Sequence, residues 1–183
     1  MSDPRPIADP IEMAALPDGI WSVEERRSEL GFAVKAIWGL QTVRGVFGAY
    51  EGSLRVEPGR ATGELTIDAA SLDTRHKRRD RHLSSPDFFD VERSPRIVFT
   101  ATSVAFTDRA AVVNGELAIG SSRLALEIPV TVEETTEQAV LVVGTTTISR
   151  KAVGLSWNWL GTISDDVVLH ARLTLRRRGS GAR

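Results

Sequence analysis

The polar cluster best suited to chemistry is Arg79-Asp80-x-His82, inside the charged run from Thr74 to Leu83. A guanidinium and an imidazole this close could hold the oxygen atoms of a ligand head group through charge-assisted hydrogen bonds. The same Arg79–Asp80 pair could instead be a tie that pins its segment to the body of the fold, since structural ion pairs resemble functional sites. Arg75, Lys77, Arg78 and Arg81 beside them read as a solvated face.

Other chemistries find little support. The three histidines are His76, His82 and His170. A spacing of six between the first two is not a two-ligand metal spacing on a helix or a strand, so no metal site is expected. Nothing in that spacing calls for a haem with His76 or His82 as axial ligand. The chain has no cysteine, which excludes thiolate sites and a disulfide framework. No Gly-x-Ser-x-Gly elbow, Gly-x-Gly-x-x-Gly turn or phosphate-binding loop is present. No catalytic residue and no cofactor is therefore assigned.

The aromatic residues form the second group. Phe32, Phe47, Phe88, Phe89, Phe99, Trp157 and Trp159, with Val34 beside Phe32, either line a long cavity or pack as an ordinary core. Small barrels can be filled by their own side chains, so on the residues alone both readings stay open. Trp157 and Trp159 lie two apart and would share one face of any strand. Trp38, next to Gly39, suits a rim.

Strands must position these groups. Leu30, Phe32, Val34 and Ala36 alternate with Gly31, Ala33 and Lys35; Leu124, Leu126, Ile128, Val130 and Val132 keep period two; so do Val167, Leu169, Ala171, Leu173 and Leu175. This is the pattern of strands with one buried and one wet face. Further strands are expected over 20–25, 44–56, 62–69, 95–106, 111–119 and 138–149. Glu57-Pro58-Gly59, Thr107-Asp108-Arg109 and Ile119-Gly120-Ser121 are turn signals between them. Many short strands at close spacing predict a sandwich or barrel, and about eight antiparallel strands can close and remove their edges. Only the Thr74–Leu83 run breaks the alternation. It predicts one short helix within 73–85, capped by Asp73 or Thr74 and ended at Ser85-Pro86, lying across a barrel mouth.

The 183 residues suit one domain. Residues 1–19 read as an extended arm, 20–178 as the barrel and 179–183 as a frayed tail. A formal net charge of −1 gives no bias toward nucleic acid. No stretch approaches the ~20 apolar residues of a membrane helix, and no leader-like apolar region follows Met1. A cytoplasmic protein is the expectation. Arg176-Arg177-Arg178 reads as a solubilising end of the last strand.

The residues Arg79-Asp80-x-His82-Leu83-x-Ser85-x-Asp87-Phe88-Phe89-Asp90 resemble the signature of the YceI-like, polyisoprenoid-binding family. Ser28-x-Leu30-x-Phe32-x-Val34 and Gly45-x-Phe47-x-x-Tyr50-x-Gly52 resemble its opening hairpin. Ile67-Asp68-Ala69-Ala70-Ser71-Leu72-Asp73-Thr74, Ser94-Pro95-x-Ile97-x-Phe99, Gly115-Glu116-Leu117-x-Ile119, Ser149-Arg150-x-x-x-Gly154-Leu155 and Ile163-Ser164-Asp165-Asp166-Val167 resemble later steps, in order. The resemblance implies an all-β, eight-stranded antiparallel lipocalin-like barrel with one short helix. It implies a polyisoprenoid or isoprenoid-quinone-like chain held inside the barrel, and a homodimer. Its ligand residues would be Phe32, Val34, Trp38, Phe47, Arg79, Asp80, His82, Phe88, Phe89, Phe99, Trp157 and Trp159. The family commonly has a histidine two residues after the valine of its first strand. Here Val34 is followed by Lys35-Ala36, which points to a different head-group preference. The function expected is that of a carrier or storage protein for a long apolar ligand, not an enzyme. The alternative is a small barrel enzyme of isomerase or cyclase type, which would need an inward acid or base.

Overall fold

A computed structural model describes residues 16–107, 110–158 and 161–178. Its strands are β1 (Gly19–Val23), β2 (Glu29–Ala36), β3 (Gln41–Phe47), β4 (Tyr50–Glu57), β5 (Arg60–Asp68), β6 (Leu72–Asp73), β7 (Arg96–Phe106), β8 (Ala110–Ile119), β9 (Ser122–Thr135), β10 (Ala139–Ser149) and β11 (Asp166–Arg177). The one α-helix among the described residues, α1, spans Lys77–Ser84. All pairings are antiparallel, and β1–β4–β5–β7–β8–β9–β10–β11 returns to β1, so eight strands close a barrel.

Two extra strands extend the barrel wall. On one edge of β11, β2 pairs along Val167–Arg172 and β1 along Leu175–Arg177. A 3-10 turn over Glu25–Arg27 separates them, and Ser28 Oγ fills the break by accepting from Thr174 N at 2.9 Å. Likewise β3 pairs with β2 while β4 pairs with β1, so β3 and β4 follow one line with a bend at Gly48-Ala49. The single strand expected over 44–56 is thus two. Period-two patterning survives on both sides of such a bend and does not mark it.

The two ends of the barrel differ. At the narrow end lie the turns β4–β5, β7–β8 and β9–β10. There Trp21 is 0% exposed among Leu16, Val56, Ala61, Val140 and Leu175, and its indole N–H donates to Pro17 O at 3.1 Å. Leu16, assigned above to an extended arm, is buried in this plug; the rest of that arm up to residue 15 and the tail 179–183 lie outside the described residues. At the wide end lie the β2–β3 and β8–β9 turns, α1, and the 150–165 connection.

The wall is incomplete on the wide side. The β9–β10 ladder runs from Thr135–Val140 to Val130–Gly144 and stops beside Pro129, which has no N–H to donate. Past that rung β9 pairs only with β8, and β10 only with β11. Val153 and Leu155, from the turn after β10, pack into the core cluster beside Leu124 and Leu126 of β9.

The helix begins where Thr74 is buried and Arg75 takes a positive φ of 60°. Its cap is not Asp73 or Thr74. His76 caps it, with Nδ1 accepting from Arg79 N at 3.3 Å. Asp73 instead accepts from Arg75 N, an Asx turn that leads into the helix. Ser85 closes the helix, its N–H and hydroxyl both donating to His82 O, and Pro86 prevents continuation.

Candidate ligand-binding cavity

The barrel encloses a cavity of about 870 Å3. Alternation along the strands builds its wall. Val167, Leu169, Ala171, Leu173 and Leu175 of β11 face inward, as do Leu126, Ile128, Val130 and Val132 of β9, and Val142, Gly144, Thr146 and Ile148 of β10. The inner face is therefore hydrocarbon over most of its length, and water gains few hydrogen bonds there.

The aromatic residues gather toward the wide end. Phe32 and Phe47, on paired strands, have ring centroids 6.1 Å apart, and Phe89 meets Phe47 edge-on at 6.4 Å. His82 stands edge-on to Trp157 at 4.4 Å and to Phe88 at 5.3 Å. These residues, with Val34 and Phe99, belong to the wall. Trp157 sits in the irregular stretch after β10, not on a strand, so the face-sharing argument with Trp159 does not apply; Trp159 lies outside the described residues. Trp38 is not in the wall. It occupies the tip of the β2–β3 hairpin, 73% exposed beside Leu40 at 85%. Ile37 and Trp38 both have φ of 51°, a strained conformation for bulky side chains.

The polar cluster is arranged differently from the tie anticipated between Arg79 and Asp80. Both residues hold Thr74 instead. Arg79 donates from Nε to Thr74 Oγ1 at 2.7 Å and from Nη2 to Thr74 O at 2.9 Å. Asp80 accepts from Thr74 N at 3.0 Å and from its hydroxyl. Thr74 follows β6, which pairs with Val46 and Phe47 of β3, so this knot fastens the helix to the barrel edge. A threonine in a charged run carries no sequence signal for that role. Arg79 and His82 belong to the cavity wall, whereas Asp80 faces a separate shallow surface depression. Asp80→Ala is expected to lower stability by about 1–3 kcal/mol, because two Thr74 donors lose their acceptor. Ligand affinity should change less. Denaturant melts and binding titrations on the variant check this; unchanged melting with lost binding would make Asp80 a ligand contact.

The residue that sequence reading missed is Arg150, at the end of β10. It is 3% exposed and part of the cavity wall. Its Nε donates to Ser164 O at 3.0 Å, and its Nη1 donates to Leu155 O and to Trp157 O at 3.0 Å. One guanidinium thus gathers both limbs of the 150–165 connection. Its Nη2 is buried and has no hydrogen-bond partner among the described residues. The neighbouring Asp165 accepts from Ser149 Oγ at 2.8 Å and from Lys151 N at 3.2 Å. The Ser149 bond, more than the nearby cations, holds its carboxyl below the ordinary aspartate range. No ion pair joins Arg150 to a carboxylate among the described residues.

A closed eight-stranded antiparallel barrel around an apolar cavity, with one helix at its wide end, is a lipocalin-like barrel. Residues 21–175 match the model of the YceI-like domain, and the chain belongs to that family. A UPF0312 protein of Photorhabdus laumondii is 36% identical over 93 residues, covering 49% of this chain and 48% of that protein. The protein YceI of Escherichia coli O157:H7 is 31% identical over 98 residues, covering 52% and 49%. The chain thus spans about half the length of the curated relatives it matches. Among solved structures, Burkholderia cenocepacia BcnA superposes with a TM-score of 0.75 at 21% identity, covering 83% of this chain and 98% of that one. A polyisoprenoid binding domain from Saccharophagus degradans superposes at 0.73 with 15% identity, covering 86% and 98%. At these identities the superpositions establish the fold.

Proposed function

We propose that the protein binds a long apolar ligand, polyisoprenoid or isoprenoid-quinone-like, inside the barrel, and holds it as a carrier or storage protein without transforming it. The observation that carries this is the cavity. Its volume of about 870 Å3 lies in the range of small-molecule sites, roughly 300–1,000 Å3. Its hydrocarbon wall suits a ligand whose binding comes mainly from its tail, at about 0.8 kcal/mol per buried CH2. The Saccharophagus degradans neighbour is described as a polyisoprenoid binding domain, which supports the same class of ligand. Among the described residues, the two groups with displaced pKa are Asp165 and Tyr50. Burial raises the Tyr50 phenol, helped by Glu25 and Glu29. Neither residue is in the cavity wall.

Native mass spectrometry of freshly purified protein should show a retained apolar ligand. Titration with isoprenoid quinones and polyprenyl alcohols, followed by the fluorescence of Trp157 in the wall, should show binding. Failure of every isoprenoid or fatty chain to bind below roughly 100 μM, about −5.5 kcal/mol, overturns the reading. Recovery of a chemically altered ligand after incubation would favour the barrel-enzyme alternative.

A further inference from the structure

Resting on the binding function proposed above, we infer that the ligand carries an anionic head group, a carboxylate or a phosphate at one end of the apolar chain, and that Arg150 is its ligating residue. A buried guanidinium normally spends all its N–H bonds, because leaving charged donors unpaired in a low-dielectric interior is costly. Arg150 belongs to the wall of an otherwise hydrocarbon cavity; it spends Nε and Nη1 on three carbonyls, and its buried Nη2 has no partner among the described residues. Carbonyl oxygens satisfy donors but do not neutralise the charge. An anionic oxygen at Nη2, which is itself screened from water, would do both once the guanidinium turns toward the lumen.

The ionisable residues of the wall itself are mainly basic. The other basic side chains in the wall are His76, Arg78, Arg79, His82 and His170; Asp87 stands 3.5 Å from His82, Glu29 stands 3.4 Å from His170, and the Asp165 carboxylate feels the charge of Arg150 from outside the wall. Arg79 has its Nε and Nη2 committed to Thr74. The one acidic residue that contributes to the wall, Glu64, has an exposed side chain and lies along β5 between the inward Gly63 and Leu65. The position also fits a head group. Arg150 follows the last residue of β10 at the wide end, and its Nη1 bonds the carbonyl of Trp157, whose ring packs on His82. An anion there would sit beneath the mouth while its chain runs toward Trp21 at the closed end.

The plain alternative is that Arg150 only clamps the 150–165 connection. Ligands matched in chain and differing in head separate the two. Dissociation constants should be measured by displacement of a fluorescent fatty probe, for a long-chain fatty acid and its alcohol, and for a polyprenyl phosphate and its alcohol. The native protein should bind each anion at least 10-fold tighter than its alcohol. Tighter binding of only one anion identifies the head as carboxylate or as phosphate. Arg150→Lys, which keeps the charge and loses the fork, should reduce that preference. Arg150→Met should abolish it, read as the ratio of anion to alcohol dissociation constants within the same variant. Native protein that binds acid and alcohol equally overturns the head-group assignment while leaving the cavity function standing, and this arm needs no variant to fold. Protein that binds neither overturns both.

Discussion

Ala171→Trp is expected to abolish binding of long chains while the barrel stays folded. Ala171 lies half-way along β11, opposite Gly144 of β10 and Leu30 of β2, and all three belong to the cavity wall. Gly144 contributes no side chain of its own, and Ile128 and Val130 pack within 3.3 Å of where one would begin. An indole here divides the wide mouth from the closed end. A chain stopped at this level forfeits about four methylenes or more, which is about 3 kcal/mol and roughly a 200-fold loss of affinity. A chain short enough to stop above the rung keeps its affinity. Overpacking costs about 1–3 kcal/mol in a filled core, which a stable barrel can absorb. Titration with two chain lengths, beside circular dichroism, reads both effects. A folded variant with unchanged long-chain binding would place the ligand outside the barrel.

Trp21→Ala should be the most destabilising single truncation in the described chain. Trp21 is the largest fully buried side chain among the described residues, and it seals the narrow end with Leu16, Val56, Ala61, Val140 and Leu175. It also joins two strands of the ring, facing Leu54 of β4 and Arg177 of β11. Removing a buried tryptophan costs about 3–5 kcal/mol. At about 2–4 °C per kcal/mol for a domain of this size, the midpoint should fall by roughly 6–20 °C. Trp38→Ala, at the exposed hairpin tip, should stay within about 0.5 kcal/mol. Equal losses for the two tryptophans would mean that the narrow end is not closed as described.

The strands most legible in the sequence were those whose one face meets only the lumen. The alternation Leu124 to Val132 becomes β9, and Val167 to Leu175 becomes β11. The helix was legible for the opposite reason, since its run of charges shows no period of two. Where two strands share one edge, local pattern was silent. The β1–β2 break and the β3–β4 bend are set by where β11 and β5 offer partners, across long sequence separation. The polar site was harder still. Arg79 stood out in a run of charges yet is committed to Thr74, whereas Arg150 looked like any arginine after a strand. Its burial depends on a connection that folds back over it, and no spacing rule encodes that.

The double use of one edge of β11 also sets an order of events during synthesis. Thr174 hydrogen-bonds Ser28, 146 residues upstream, and neither β1 nor β2 has its partner on that side until β11 exists. At about 5–20 residues per second, the first two strands leave the ribosome roughly 7–30 s before the strand that closes the ring. Through that interval they carry open backbone edges, which invite pairing with other chains. The fold therefore completes after translation has passed β11, slowly for its size, as expected when the decisive pairings are non-local.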